Sequence, residues 1–255
     1  MITIRDEMMR IFEEAALRAF EDEMVRHLER SDPGLCEVPG EAAVRRVIRL
    51  GVERAKGYGL TDRGPVRLYI ELMVLLGSHF DTDPLLPWAR AILDDPSIRN
   101  QGSRANRLYE RATAYFHEVA GPDDEYLIDA MLRIHRAAAE VLPPLGPDLE
   151  EAALTRLSSI YPEKCESVGE PALRALIRRG PELARHHSAG TDLGVALFIA
   201  LPFALGHGFA TDPLYPWISE VLNDPLVTEI SRRAERLKAR AMGYLGRLLD
   251  DLEQS

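Results

Sequence analysis

The chain has 255 residues, of which 41 are acidic and 31 basic, for a formal charge of −10 and a hydrophobic content of 46%. That composition excludes a disordered or fibrous chain. The acid excess sets aside nucleic acid as a partner, since Arg45, Arg46 and Arg49, or Arg232, Arg233 and Arg236, alternate with acids and apolar residues at helical spacing instead of gathering on one face.

The opening stretch MITIRDEMMRIFEE has neither a basic start nor an apolar core, so it is read as no signal or targeting segment. Apolar spacing predicts a first helix over about 5–30 and a second over 41–57, where Val44, Val47, Ile48, Gly51 and Ala55 recur at three and four and Arg45, Arg46, Arg49 and Glu53 are left for solvent. Further helices are expected at about 65–77, 87–94 and 97–119. The longest apolar runs, 68–77 with Glu71 inside and 195–206 with Pro202 inside, are shorter than the roughly 20 residues of a membrane helix and read as core helices. Two cysteines, Cys36 and Cys165, fit a reducing cytosol and read as small buried hydrophobes.

The stretch GSHFDTDPLLPWARAILDDP at 77–96 returns as GHGFATDPLYPWISEVLNDP at 206–225, an offset of 129 positions. Extended without a gap from Met24–Phe116 onto Ala153–Leu245, the alignment keeps roughly 35 of about 93 residues identical. The expectation is an all-α protein made by tandem duplication of a roughly five-helix unit, two helical bundles packed as pseudo-equivalent halves over 1–121 and 122–255. The seam falls near Gly121-Pro122-Asp123-Asp124. The first helix of the second copy should be broken by Pro143, Pro144, Gly146 and Pro147.

His79, Asp81 and Asp83 lie within five positions and raise the question of a metal or a proton-transfer site. The second copy acts as a control: His79 faces Gly208, Asp81 faces Ala210, and His207 stands opposite Ser78. What persists is a structural set: Gly77, Phe80, Asp83, Pro84, Pro87, Trp88, Asp95 and Pro96, matched by Gly206, Phe209, Asp212, Pro213, Pro216, Trp217, Asp224 and Pro225. Gly77 and Gly206 are expected to end a buried helix in a left-handed conformation. Asp83-Pro84 and Asp95-Pro96 should each be an N-cap followed by a first-turn proline, with Phe80 and Trp88 holding the turn to the core.

Of the remaining polar candidates, Glu71 has no titratable neighbour in sequence and is expected to reach solvent or the interface between the halves. Adjacent His186 and His187 point about 100 degrees apart on a helix and do not readily share a metal with His207. No phosphate loop or nucleophile elbow occurs, so neither metal nor cofactor is expected.

Tyr58-Gly59, LYIELM at 68–73, LG followed by FDTDPLLPWA at 80–89, and RLYERA at 107–112 together resemble a bacterial helical family without an assigned activity, whose members are accessory proteins encoded among effectors and spike components of type VI secretion systems. The resemblance covers nearly all of the first copy, and the second copy lacks the YG and the acid of LYIELM. It implies a cytoplasmic, non-catalytic protein-binding module, an adaptor or chaperone for a secreted effector, with another protein (effector, toxin or secretion component) as partner. The alternatives are an immunity protein that neutralises a neighbouring toxin, and an enzyme whose site in the first copy uses Glu71, His79 and Asp81. Tyr58, Glu71, His79, Asp81, His186, His187 and His207 are the polar positions at which a partner or the difference between copies would be felt.

Overall fold

The structure, a computed structural model, describes residues 2–31, 34–37, 39–138, 146 and 148–253. It is all-helical: among the described residues there are twelve α-helices, two single 3-10 turns and no strand. In the first half these are α1 (Ile2–Ser31), α2 (Glu41–Gly57), α3 (Arg63–Leu76), α4 (Pro87–Leu93) and α5 (Gln101–Val119). The second half holds α6 (Glu125–Ala138), α7 (Leu149–Ile160), α8 (Pro162–Val168), α9 (Glu170–His186), α10 (Asp192–Leu205), α11 (Pro216–Leu222) and α12 (Ile230–Glu253). No helix of the described residues is long and apolar enough to cross a membrane.

The bounds of α9, α10 and α11 lie 129 positions after those of α2, α3 and α4, and backbone details follow suit. Gly40 and Gly169 precede α2 and α9 with φ of 77° and 84°. The turn after α2, in which the amides of Gly59 and Leu60 reach back to Lys56 and Ala55, returns after α9 as Ser188 to Arg185 and Ala189 to Ala184. This is the Schellman pattern, whose terminal residue needs a positive φ. Glycine fills that place in the first half, and Ser188 takes φ 52° in the second.

The crossing of α2 over α3 depends on Gly51, since a Cβ there would lie 2.5 Å from Ile70 Cγ1; at the crossing of α9 over α10, Gly180 stands at the same 2.5 Å from Ile199 Cγ1. Such a crossing lets two backbones approach and bury β-branched side chains between them. The buried apolar residues then form one contiguous cluster. Tyr69, Ile70 and Phe80 from the first half and Phe198, Phe209 and Ile218 from the second belong to the same core.

Three expectations are corrected. Asp83-Pro84 does not start a helix: α4 begins at Pro87, with Leu86 in the N-cap position and the proline at the first turn. Asp95-Pro96 does not start one either, since α5 begins at Gln101 behind Asn100, whose side chain accepts from the Ser103 amide. Asp83, Asp95, Asp212 and Asp224 instead each accept the amide two residues on, from Leu85, Ser97, Leu214 and Leu226 at 2.8–2.9 Å. The side-chain oxygen closes a local turn on its own backbone, which competes with helix initiation at the same residue. The second half also does not simply repeat the first, because α8 has no helical counterpart at 34–37. The break in its first helix separates α6 from α7; Pro143, Pro144 and Pro147 lie outside the described residues.

Ser188 sits in a backbone region that costs a non-glycine residue about 1 kcal/mol. Ser188→Gly is therefore expected to raise stability by about that amount in urea unfolding. An unchanged or lowered midpoint would mean that the turn is not strained.

Candidate functional site

The polar stretch singled out from sequence lies at the meeting of the halves. α3 ends at Gly77 and α10 at Gly206, and these glycines stand back to back: a Cβ on Gly77 would lie 2.6 Å from the Leu205 carbonyl oxygen, and one on Gly206 3.1 Å from that of Leu76. Their φ of 94° and 90° with ψ of 147° and 157° is not the left-handed helical conformation expected. It is an extended mirror-image region that is essentially restricted to glycine.

Immediately after these glycines the halves exchange hydrogen bonds. Asp212 accepts the Ser78 amide at 2.8 Å and the Ser78 hydroxyl at 2.7 Å. Asp83 accepts the His207 amide at 2.9 Å. Ser78 and His207 are counterparts, as are Asp83 and Asp212, so the contact is reciprocal. Both carboxylates are buried. Burial raises the pKa of Asp83, but hydrogen bonds from His207 and from the Leu85 and His207 amides outweigh it and hold the pKa below the usual carboxylate range.

His79 and His207 pack with ring centroids 5.8 Å apart. A Cβ on Gly208 would lie 2.3 Å from His79 Nδ1, so Gly208 is the space that the His79 ring fills. Burial, then the nearby Arg54 charge, lowers the His79 pKa.

Asp81 serves its own half. Its carboxylate, 1% exposed, accepts from Arg54 at 2.5 and 3.2 Å and from the Tyr58 hydroxyl at 3.0 Å. The buried hydroxyl of Tyr69 lies against the same ion pair. Burial and the Asp81 charge push Tyr58 up to about 12 and Tyr69 higher still. The second half fills the four places with Leu183, His187, Phe198 and Ala210, an apolar solution to the same space in which the His187 ring stacks on Phe198 at 5.2 Å.

Glu71 is partnered both across the fold and in sequence: His27 Nε2 of α1 lies 2.6 Å from its carboxylate, and Arg67, one turn earlier on α3, donates to it at 2.9 Å, so the expectation that it had no titratable neighbour in sequence is corrected. His186 is exposed at the end of α9 and His187 is half-buried. Glu71 and Asp81 thus have separate partners, and His79 packs on His207 with its buried Nδ1 unbonded among the described residues. Cys165 is buried, and Cys36 is half-buried. No group of three or more His, Cys, Asp or Glu side chains among the described residues is arranged to hold a metal ion.

Sequence inspection missed an ion-pair network that ties the first helix of each half to the second. Arg49, exposed as expected, also donates to the buried Glu21 at 2.6 and 2.8 Å, and Arg45 pairs with Asp22 and Glu41 at 2.7 Å. In the second half, Arg178 and Arg174 pair with Glu150 at 3.1 and 3.0 Å, and Arg174 with Glu151 and Glu170 at 2.7 Å. Every member stands 129 positions from its counterpart, and that identity of spacing is the signal that would have found it.

A second feature also went unseen. An apolar cavity of about 830 Å³ lies among α6, α7, α10 and α12, floored by α5 and α8. Lys164 lines it, with Nζ 5.1 Å from the Phe203 ring centroid and 6.0 Å from that of Tyr161. Burial lowers the Lys164 pKa to about 8, against the opposing charge of Asp83.

Comparison with known proteins gives no match, whether to a family model, a curated protein or a solved structure.

Two predictions follow from this geometry. Asp81→Ala strands the Arg54 guanidinium and should cost about 3–5 kcal/mol. Arg54→Leu, Asp81→Ala and Tyr69→Phe together should recover most of that loss, because they install the second half's apolar packing. Chemical denaturation of both variants measures this, and a triple variant no more stable than the single one would refute the equivalence. The depressed pKa of Asp83 contributes stability that is present above the unfolded carboxylate pKa near 4 and is lost as pH falls through the lower folded value. The gap in melting temperature between wild type and Asp83→Asn should therefore narrow between pH 6 and 3; a constant gap would show that Asp83 carries no such linkage.

Proposed function

We propose that the chain is a tandem duplication of one helical unit, with the seam at residues 121–122, serving as a non-catalytic module that binds another protein. The matched helix bounds, the twin glycine crossings and the repeated ion-pair network support the duplication.

The observation that carries the binding role is the first part of α1. Its buried residues begin only at Glu21, and residues 7–19 are exposed apart from the half-buried Leu17. Met8, Ile11 and Phe12 are 52%, 60% and 65% exposed, and with Ala15 they fall at i, i+3, i+4 and i+7 on one face of the helix. Large apolar side chains left in water at that spacing are the pattern by which an amphipathic helix lies in a partner's groove. The flanks of the row carry both signs of charge, with Glu7 and Glu13 beside Arg10 and with Glu14 paired to Arg18.

Together with the resemblance of the FDTDPLLPWA and LYIELM segments to secretion-associated accessory proteins, this favours an adaptor or chaperone that presents α1 to a secreted effector in the cytoplasm. Co-expression with the product of the adjacent gene, followed by co-purification, tests the reading. The wild type should retain that product, and Met8→Glu with Phe12→Glu should lose it without lowering the melting temperature, because both side chains lie outside the core. Retention by the double variant, or a wild type that purifies alone, would overturn it. A dimer that the double variant returns to monomer would likewise overturn it, replacing the partner by a second copy.

A further inference from the structure

The chain uses lysine sparingly. Among 31 basic residues only Lys56, Lys164 and Lys238 are lysines, and two of these three line the one large cavity described above. Neither cavity lysine has a described carboxylate within ion-pair distance, although acids outnumber bases and arginines on both halves are paired. Among the described residues the one carboxylate on the wall is Asp83, and both of its oxygens already accept backbone amides, from Leu85 and His207. Trp217 adds a buried indole N–H without an acceptor. Beside hydroxyls that can donate or accept, the charged groups left over among the described residues of this wall are cations, which call for an anion.

The rest of the wall is apolar and long. Along α10 the lining residues run from Leu193 to Leu205, and along α12 from Lys238 to Leu248, which at helical rise is about 15–18 Å of trough. Its volume falls within the roughly 300–1,000 Å³ of small-molecule sites. A trough of that length and polarity fits a single alkyl chain better than a compact ring. Leu75 and Leu127 both line the cavity and are exposed, which gives an apolar chain a route from solvent.

We propose that this cavity binds a single-chain amphiphile with an anionic head group, the head paired with Lys164 and the chain lying between α10 and α12. Lys164 is the head-group residue because it is held on the short α8 over the rings of Tyr161 and Phe203, where an ammonium lacks a full hydration shell and an anion restores its partner. Its counterpart in the first half is Leu35, so the site belongs to the second half alone.

The probes are palmitate, hexadecanol of the same chain length, and a lysophosphatidate, each added to the full chain below its micellar concentration. Equilibrium dialysis gives the stoichiometry, and tryptophan emission reports occupancy at Trp217. Palmitate or the lysophosphatidate should bind one to one and at least tenfold more tightly than hexadecanol; whichever binds tighter identifies the source as free acid or phospholipid. Lys164→Met should weaken that binding at least tenfold and Lys164→Arg should largely restore it. Ala196→Trp, which fills the trough from α10, should abolish it.

A lysine that only packs on Phe203 would change the unfolding midpoint in Lys164→Met and leave binding alone. That result overturns the proposal, as does equal binding of hexadecanol or the absence of saturable binding by either anionic probe. Should Ala196→Trp fail to fold, the Lys164 pair still decides. Met8→Glu with Phe12→Glu lies outside the cavity and should leave palmitate binding unchanged, so this site and the docking role of α1 can fail separately.

Discussion

The arrangement of the whole molecule rests on one reciprocal contact, in which Asp83 and Asp212 each cap a turn of the other half. Two strongly apolar helices, α3 and α10, end against one another at Gly77 and Gly206. The amides that follow are shut away from water, and a buried amide without an acceptor costs about as much as a lost hydrogen bond. A carboxylate from the opposite half supplies the acceptor, while its second role, closing its own turn onto Leu85 or Leu214, keeps it from being a bare buried charge. Glycine is required because the backbones meet closer than any Cβ allows. With those ends fixed, Tyr69, Phe80, Phe198 and Phe209 are brought into one core.

Such a junction changes what a comparison of the two halves can reveal. Residues far from the meeting line each see their own half, so a difference there marks what the shared framework can do without. Asp81 against Ala210 is of that kind: one half buries an ion pair with Arg54, the other packs Leu183 and Phe198. Residues on the meeting line see their own counterparts. His79 lies on Gly208 because two side chains cannot occupy that place, so the glycine opposite the histidine is a matter of complementarity. The same holds for Ser78, whose hydroxyl bonds Asp212, opposite His207, whose ring lies near Thr82.

The helices were legible because three-and-four spacing of Val44, Val47, Ile48 and Ala55 reports a buried stripe whatever lies beneath it. The aspartate-proline pairs were misread because an aspartate that accepts the amide two residues on and one that caps a helix share the same local sequence; only the position of the next helical turn separates them. Glu71 looked alone although Arg67 stands one turn before it; only His27, on another helix, was out of reach of the sequence. Arg49 does reach solvent, but its buried partner Glu21 stands on another helix, although the second appearance of the pair as Glu150 and Arg178 was written in the chain. The cavity could not have been read from any local pattern, because four helices distant in sequence make its walls.

One break accounts for the largest difference between the halves. In the first half α1 continues for 30 residues, and its opening turns leave the body with Met8, Ile11 and Phe12 in water. In the second half the corresponding helix stops between α6 and α7, and α6 turns back to pack on α12. That return places Leu127, Ala130 and Met131 over α10 and α12 as one wall of the cavity. α1 thus leaves apolar side chains in water, whereas α6 lays its own against the cavity, and a surface suited to a partner stands in the same chain as one suited to an enclosed ligand. Lys164 on α8 gives that enclosed surface a cation at a place where the first half has Leu35.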